Sequence, residues 1–182
     1  MNFKQKSESS RLFLALWPDD VTRARLSDLS LSLRLKTSQL VSPHNFHVTL
    51  VFIGRVNKAS ELLIKQRVTD ISSRSFTLIF NRISYWHKPK VICLTTLMAD
   101  PHLMALAEKL NNTVIECGVQ TDTRPFNPHI TLARHVSTFD EHDCEPLVWK
   151  AESFCLVESC SEINGVNYKV RDRWSFENRN FL

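Results

Sequence analysis

Glycine is scarce in this chain, with 3 among 182 residues, and proline is limited to 7. So little material for flexible linkers leaves one domain, or two intimately packed lobes, as the expectation for 21.1 kDa. No apolar run reaches the ~18 residues of a membrane span. The opening stretch MNFKQKSESS is polar and holds no apolar segment of a secretory leader. A cytoplasmic protein without membrane contact is therefore expected. The five cysteines (Cys93, Cys117, Cys144, Cys155, Cys160) are odd in number and contain no C-x-x-C pair. That argues against a complete disulfide framework and against a zinc ribbon, and leaves reduced structural thiols. Charge of either sign is not dominant. A formal +4 and a pI near 8.9 admit a phosphate-bearing partner without requiring one. With 43% hydrophobic and 23% charged residues, the chain can bury a real core.

What is present is repetition. HVTL at His47–Leu50 returns as HITL at His129–Leu132, each within a strand-like apolar run. Residues two apart on a strand share a face, so His47 lies with Thr49 and His129 with Thr131. The flanking elements echo as well. RLFLALW (Arg11–Trp17), stopped by Pro18, precedes a helix over Asp20–Leu35 and then a motif strand over Asn45–Ile53 ending at Gly54. Asp19 and Asp20 suit the helix start, although LSLSLRLK (Leu29–Lys36) alternates with a strand period. VICLTTL (Val91–Leu97) precedes a helix opened by Asp100-Pro101, with Leu103, Leu106, Ala107, Leu110 and Val114 at helical spacing and Gly118 as the stop. The second motif strand follows the loop Val119–Asn127. From strand start to histidine the two halves span 35 and 38 residues. Two related lobes facing each other across a cleft are expected. Residues 1–10 read as a polar tail and 11–182 as one bilobal domain. Further expected elements are a helix over Lys58–Ser72, a strand or hairpin over Ser75–Trp86, a basic turn at His87–Lys90, an acidic loop over Asp140–Glu145 and a last strand over Asn167–Phe176. The late strand-rich stretch favours α+β over a parallel α/β sheet.

A lone histidine in an apolar strand is ordinarily a satisfied core or surface residue, and threonine is a good strand former. Two His-x-Thr pairs aimed from two lobes are different, because such polar groups need partners. An anionic ligand in the cleft supplies them. Histidine, with an ordinary pKa of about 6.5, serves as acid or base near neutrality. Phosphodiester hydrolysis needs a proton removed from water on one side of phosphorus and another delivered to the leaving oxygen opposite. Threonine hydroxyls can donate to the non-bridging oxygens. No Asp, Glu or Cys near the two histidines has the usual zinc-ligand spacing, so no metal and no cofactor are expected.

RLFLALWP, HVTLVFIGRV and RPFNPHITLAR together resemble the two-histidine phosphoesterase superfamily. More narrowly they resemble the bacterial RNA 2′,3′-cyclic phosphodiesterases, also called 2′-5′ RNA ligases, over nearly the whole chain from Arg11. The resemblance implies an α+β, bilobal, pseudo-duplicated fold in which two antiparallel sheets line a V-shaped cleft with helices outside. It implies metal-free opening of a terminal 2′,3′-cyclic phosphate on RNA to a 2′-phosphate, with 2′-5′ ligation as the reverse reaction. On the same basis His47 is the proton donor and His129 the acceptor, while Thr49 and Thr131 bind the phosphate. The internal symmetry of the sequence does not assign those two roles.

Arg134 suits phosphate geometry. Strand parity, however, puts it on the face opposite His129, so it reaches the cleft where the strand ends or bends and is otherwise a surface arginine. Phe126 is a candidate base-stacking residue and equally a candidate core residue. His44 is expected at the cleft rim. Trp86, His87, Lys88 and Lys90 form a basic-aromatic turn that either touches RNA or is a solvated tip. His102, His135 and His142 receive no role. The expected partner is an RNA or oligonucleotide end bearing a 2′,3′-cyclic phosphate, met by a monomer. Alternatives are a phosphodiesterase for another cyclic nucleotide or a 2′-5′ linkage, and a non-catalytic RNA- or nucleotide-binding module.

Overall fold

A computed structural model describes residues 9–35, 39–163 and 165–177. The chain runs β1 (Ser9–Leu16), α1 (Asp20–Ser32), β2 (Gln39–Leu40), a 3-10 turn (Pro43–Asn45), β3 (Val48–Asn57), α2 (Lys58–Thr69), β4 (Phe76–Trp86), β5 (Val91–Thr95), α3 (Pro101–Glu116), β6 (His129–Arg134), β7 (His142–Ala151), β8 (Ser153–Glu162) and β9 (Gly165–Ser175). Two antiparallel sheets result, β3-β1-β8-β9 and β2-β6-β5-β4-β7. Apart from the short β2, the orders superpose: β3 corresponds to β6, β1 to β5, β8 to β4 and β9 to β7. The pseudo-duplication read from the two motifs is thus a property of the sheets, and the expected α+β bilobal class is correct.

Each helix has a local reason to start where it does. Asp19 accepts from the Thr22 N–H at 2.7 Å, and Asp100 accepts from the N–H groups of His102 (2.7 Å) and Leu103 (3.3 Å), satisfying donors that a helix start leaves free. α3 buries the five residues its spacing singled out. α1 buries a narrow stripe, Thr22, Leu26 and Ser30, so its cap and tertiary contacts override the strand-like alternation of Leu29–Lys36. The helices are exchanged between the halves. α1, which follows β1, packs on β6 and β7 of the other sheet, while α3, which follows β5, packs on β3. Hydrogen bonds fix the first of these. Arg25 donates to the Val148 carbonyl at 3.2 Å, and the Ser30 hydroxyl to the Leu132 carbonyl at 3.4 Å. One buried apolar cluster draws residues from both sheets and all three helices.

Several boundaries move from their sequence-based positions. Ser9 and Ser10 belong to β1 rather than to the tail, because they pair with Asn57 and Val56; residues 1–8 lie outside the described residues. The first motif strand begins at Val48, not Asn45, since Pro43–Asn45 forms the 3-10 turn. It continues through Gly54 to Asn57, with Gly54 at φ 79° beside an extra residue in the β1–β3 pairing. Positive φ is the backbone state that glycine supplies without steric cost. The expected strand or hairpin over Ser75–Trp86 is one strand, Phe76–Trp86, and the acidic stretch is a loop only to Glu141, because His142–Glu145 enters β7 opposite β4. The five cysteines are all free. Among the described residues, no helix is long and apolar enough to cross a membrane.

Candidate active site

The cleft is organised by the two motif strands. His47 sits just before β3 and His129 opens β6. Both rings are oriented in the same way. Nδ1 of His47 donates to the Asn45 carbonyl at 2.6 Å, and Nδ1 of His129 donates to the Asn127 carbonyl at 2.8 Å. A backbone carbonyl can only accept, so Nδ1 carries the proton in each neutral ring and Nε2 is left with its lone pair. The Thr49 hydroxyl donates to Nε2 of His47 at 3.0 Å. In the other lobe the Cys93 thiol lies 3.9 Å from the Thr131 hydroxyl oxygen, a weak donor that leaves the Thr131 proton available to a ligand. Burial pushes that thiol up to about 12, so it stays protonated.

The two histidines differ in their surroundings. His47 is half-buried and walled by Phe13 (centroids 5.0 Å apart), Trp17 (stacked, 5.7 Å) and Tyr168 (edge-on, 5.0 Å). Burial is the main reason its pKa falls to about 4. The Asn45 carbonyl opposes that shift, and positive charge on His129, when that ring is protonated, and on Arg134 adds to it. His129 is lowered too, first by burial and then by Arg134, against the Asn127 carbonyl; its nearest aromatic neighbour is Trp86 at 4.4 Å. Both shifts favour the neutral ring near pH 7. Asn45 also anchors the β9 strand, accepting from the Tyr168 N–H at 3.1 Å and donating to the Val166 carbonyl at 2.8 Å.

Arg134 faces the cleft, and the reason is one residue. Cys93 is opposite Thr131 but Ile92 is opposite Ala133, so Leu132 is an extra residue in β6. Leu132 and Ala133 are consecutively buried, which breaks the alternation and turns Arg134 back to the side of Thr131. Its guanidinium is close enough to depress both histidines. β3 has the same irregularity. Ala15 faces Thr49 while Leu14 faces Val51, Leu50 and Val51 are both buried, and Phe52 emerges 52% exposed. Phe52 is thus the pseudo-symmetric counterpart of Arg134, and the two lobes offer an aromatic ring and a cation at matching positions.

Beside His129 a cavity of about 600 Å³ runs between β3, α3 and the loop over residues 119–127, lined among others by Thr49, Phe52, Trp86, Glu108, Asn111 and Phe126. That volume suits a nucleotide-sized ligand. Phe126 is half-buried, packs partly on the core and borders this cavity. His44 is exposed in the 3-10 turn. His87 stacks edge-on against Tyr85 at 4.7 Å. His102 lies 3.3 Å from Asp100 and His142 contacts Phe139, while His135 is exposed at φ 58°. Among the described residues, no group of three His, Cys, Asp or Glu could hold a metal ion. The sequence reading missed Phe13, Trp17, Asn45, Phe52 and Tyr168, and gave Trp86 to the turn when it belongs beside His129.

Comparison with known proteins places this geometry among relatives. Residues 13–160 match the family described as the 2′-5′ RNA ligase superfamily. The RNA 2′,3′-cyclic phosphodiesterase of Escherichia coli K12 is 29% identical over 132 residues, 72% of this chain and 75% of that protein. A protein of the same name from Thermotoga maritima is 29% identical over 181 residues, 92% and 96% of the two chains. Among solved structures, Escherichia coli LigT complexed with 3′-AMP superposes with a TM-score of 0.88 at 25% identity, covering 94% of this chain and 100% of the other.

Proposed function

The chain belongs to the 2′-5′ RNA ligase superfamily, and from that premise we propose that it is an RNA 2′,3′-cyclic phosphodiesterase. It opens the terminal cyclic phosphate of RNA to a 2′-phosphate. The observation that carries this reading is the pairing of two Nδ1-anchored histidines whose unprotonated Nε2 atoms address one cleft from two sheets. Water loses a proton to Nε2 of His129 as its oxygen bonds to phosphorus, and the P–O3′ bond breaks while His47 delivers a proton from Nε2 to O3′. The products are a 2′-phosphate and a free 3′-hydroxyl. Thr49, Thr131 and Arg134 hold the non-bridging oxygens, where donors aimed at developing charge are most effective.

Burial favours the neutral form of His47, whereas the donor role needs it protonated. Entry of the phosphodiester anion supplies the missing stabilisation, since an opposite charge nearby favours the protonated ring. As Nε2 of His47 gains its proton it stops accepting from Thr49, and that hydroxyl turns to a phosphate oxygen. Substrate binding is therefore coupled to proton uptake. The enzyme acts as a monomer, and with the 5′-hydroxyl of a second RNA in place of water the same steps open the cyclic phosphate to a 2′-5′ linkage and a free 3′-hydroxyl.

The test is a product assay with a short RNA ending in 2′,3′-cyclic phosphate, in EDTA. A 2′-phosphate product, lost in His47→Ala and His129→Ala proteins that remain folded, supports the reaction and both roles. A 3′-phosphate reverses the regiochemistry, chelator-sensitive turnover refutes the metal-free step, and binding without product leaves a recognition module.

A further inference from the structure

Past Phe52 the cleft face of the first sheet carries two arginines side by side. Arg11 on β1 and Arg55 on β3 are direct partners across the antiparallel pair, and both are exposed. The irregularities in this pairing come from extra residues on β3, so β1 alternates regularly and Arg11 shares the face of Phe13 and Ala15. Phe13 rests against His47, which identifies that face as the lining of the cleft. Arg55, as the direct partner of Arg11, lies on it too. Like charges directly opposite each other on a sheet are destabilising. Among the described residues neither arginine forms an ion pair. Arg171 and Asp172 of the same sheet, by contrast, are paired: Arg171 meets Glu158 at 3.0 Å and Glu61 at 4.0 Å, and Asp172 meets Lys65 at 2.7 Å.

We infer that Arg11 and Arg55 bind a backbone phosphate of the RNA strand upstream of the terminal cyclic phosphate, which makes an oligonucleotide rather than a cyclic mononucleotide the preferred substrate. The inference rests on the phosphodiesterase reading and extends it. Thr49 lies opposite Ala15, and Arg11 is four residues further along β1, about 13 Å at ~3.3 Å per residue. A single phosphate seated between the histidines does not meet both arginines from there. Between the two positions stands Phe52 at the edge of the cavity, placed for a base while the backbone passes on to the arginine pair. An exposed cation pair on one groove wall, without an ion-pair partner among the described residues, is the electrostatic track that single-strand binding uses.

The experiment compares 2′,3′-cyclic AMP with a pentanucleotide ending in 2′,3′-cyclic phosphate, for the wild-type protein and the Arg11→Gln/Arg55→Gln double variant. Binding of a fluorescein-labelled pentanucleotide with a 3′-terminal 2′-phosphate is followed in parallel over a salt series. The wild type should favour the pentanucleotide. The variant should lose roughly tenfold in kcat/KM and affinity for it, with the log–log salt slope shallower by about 0.7 (one phosphate contact). Hydrolysis of cyclic AMP should be unchanged, and the variant should melt no lower, because a cross-strand repulsion is removed. Equal losses on both substrates, or an unchanged salt slope, overturn the proposal. Turnover of neither substrate by the wild type defeats the phosphodiesterase reading alone, and the salt slope of binding still decides the arginine pair.

Discussion

Holding His47 neutral has a cost that appears as a pH-dependent stability. Its folded pKa of about 4 lies well below the ordinary 6.5. The unfolded chain therefore binds a proton here at a pH where the folded chain does not. Stability from this residue is fully present above pH 6.5 and is lost as the pH falls toward 4. A gap of about 2.5 units corresponds to ~3.4 kcal/mol in the limit, of which about 2 kcal/mol disappears between pH 7 and pH 5. Asparagine at this position does not titrate, and its amide can still donate to the Asn45 carbonyl. Urea unfolding of wild type and His47→Asn at pH 7 and pH 5 should show the wild type losing about 2 kcal/mol more than the variant. The ring of His47, followed by NMR, should titrate near pH 4 in the free protein and well above that with a non-hydrolysable phosphate ligand bound. Identical pH dependence in the two proteins would refute the claim that Phe13, Trp17 and Tyr168 exclude the charged ring. It would also remove the coupling between substrate entry and proton uptake.

The same electrostatics set the acid–base profile. Activity needs one proton shared correctly between two histidines that are both depressed, so kcat/KM should peak below pH 6.5; a maximum at or above pH 7.5 contradicts this. Arg134→Gln removes a charge-assisted contact worth ~1.5–3 kcal/mol, which lowers kcat/KM by roughly 10- to 150-fold. It should also move the optimum upward, since the guanidinium depresses both rings; steady-state kinetics over pH 4.5–8 reads both effects. Asp100→Ala deletes the cap of α3 and should cost about 1 kcal/mol in urea unfolding, with kcat on a cyclic phosphate substrate unchanged.

The two His-x-Thr strands were legible because they repeat, and α3 because its cap, its apolar spacing and its glycine stop agree. The aromatic box around His47 was not. Phe13, Trp17 and Tyr168 come from opposite ends of the chain, and nothing local marks the face they share until β9 is known to lie beside β8. Arg134 stayed open for a different reason. Strict parity puts it on the far face, and only the irregularity of β6 returns it to the cleft. A signal for the irregularity does exist in the sequence, since Thr-Leu-Val-Phe after His47 and Thr-Leu-Ala-Arg after His129 each place two apolar residues in succession where alternation calls for one. Helix exchange left no such mark, because periodicity shows which side of a helix is apolar and not which sheet receives it.

That exchange cross-braces the groove. The helix after β1 leaves its own sheet to pack on β6 and β7, and the helix after β5 packs on β3, so each wall is backed by a helix whose preceding strand belongs to the other. Between walls braced alike, the lining differs: Phe52 stands where the other lobe has Arg134, and His47 is enclosed by Phe13, Trp17 and Tyr168 where His129 has Trp86. A groove with two identical walls cannot tell one end of a phosphodiester from the other; a groove with unlike walls can.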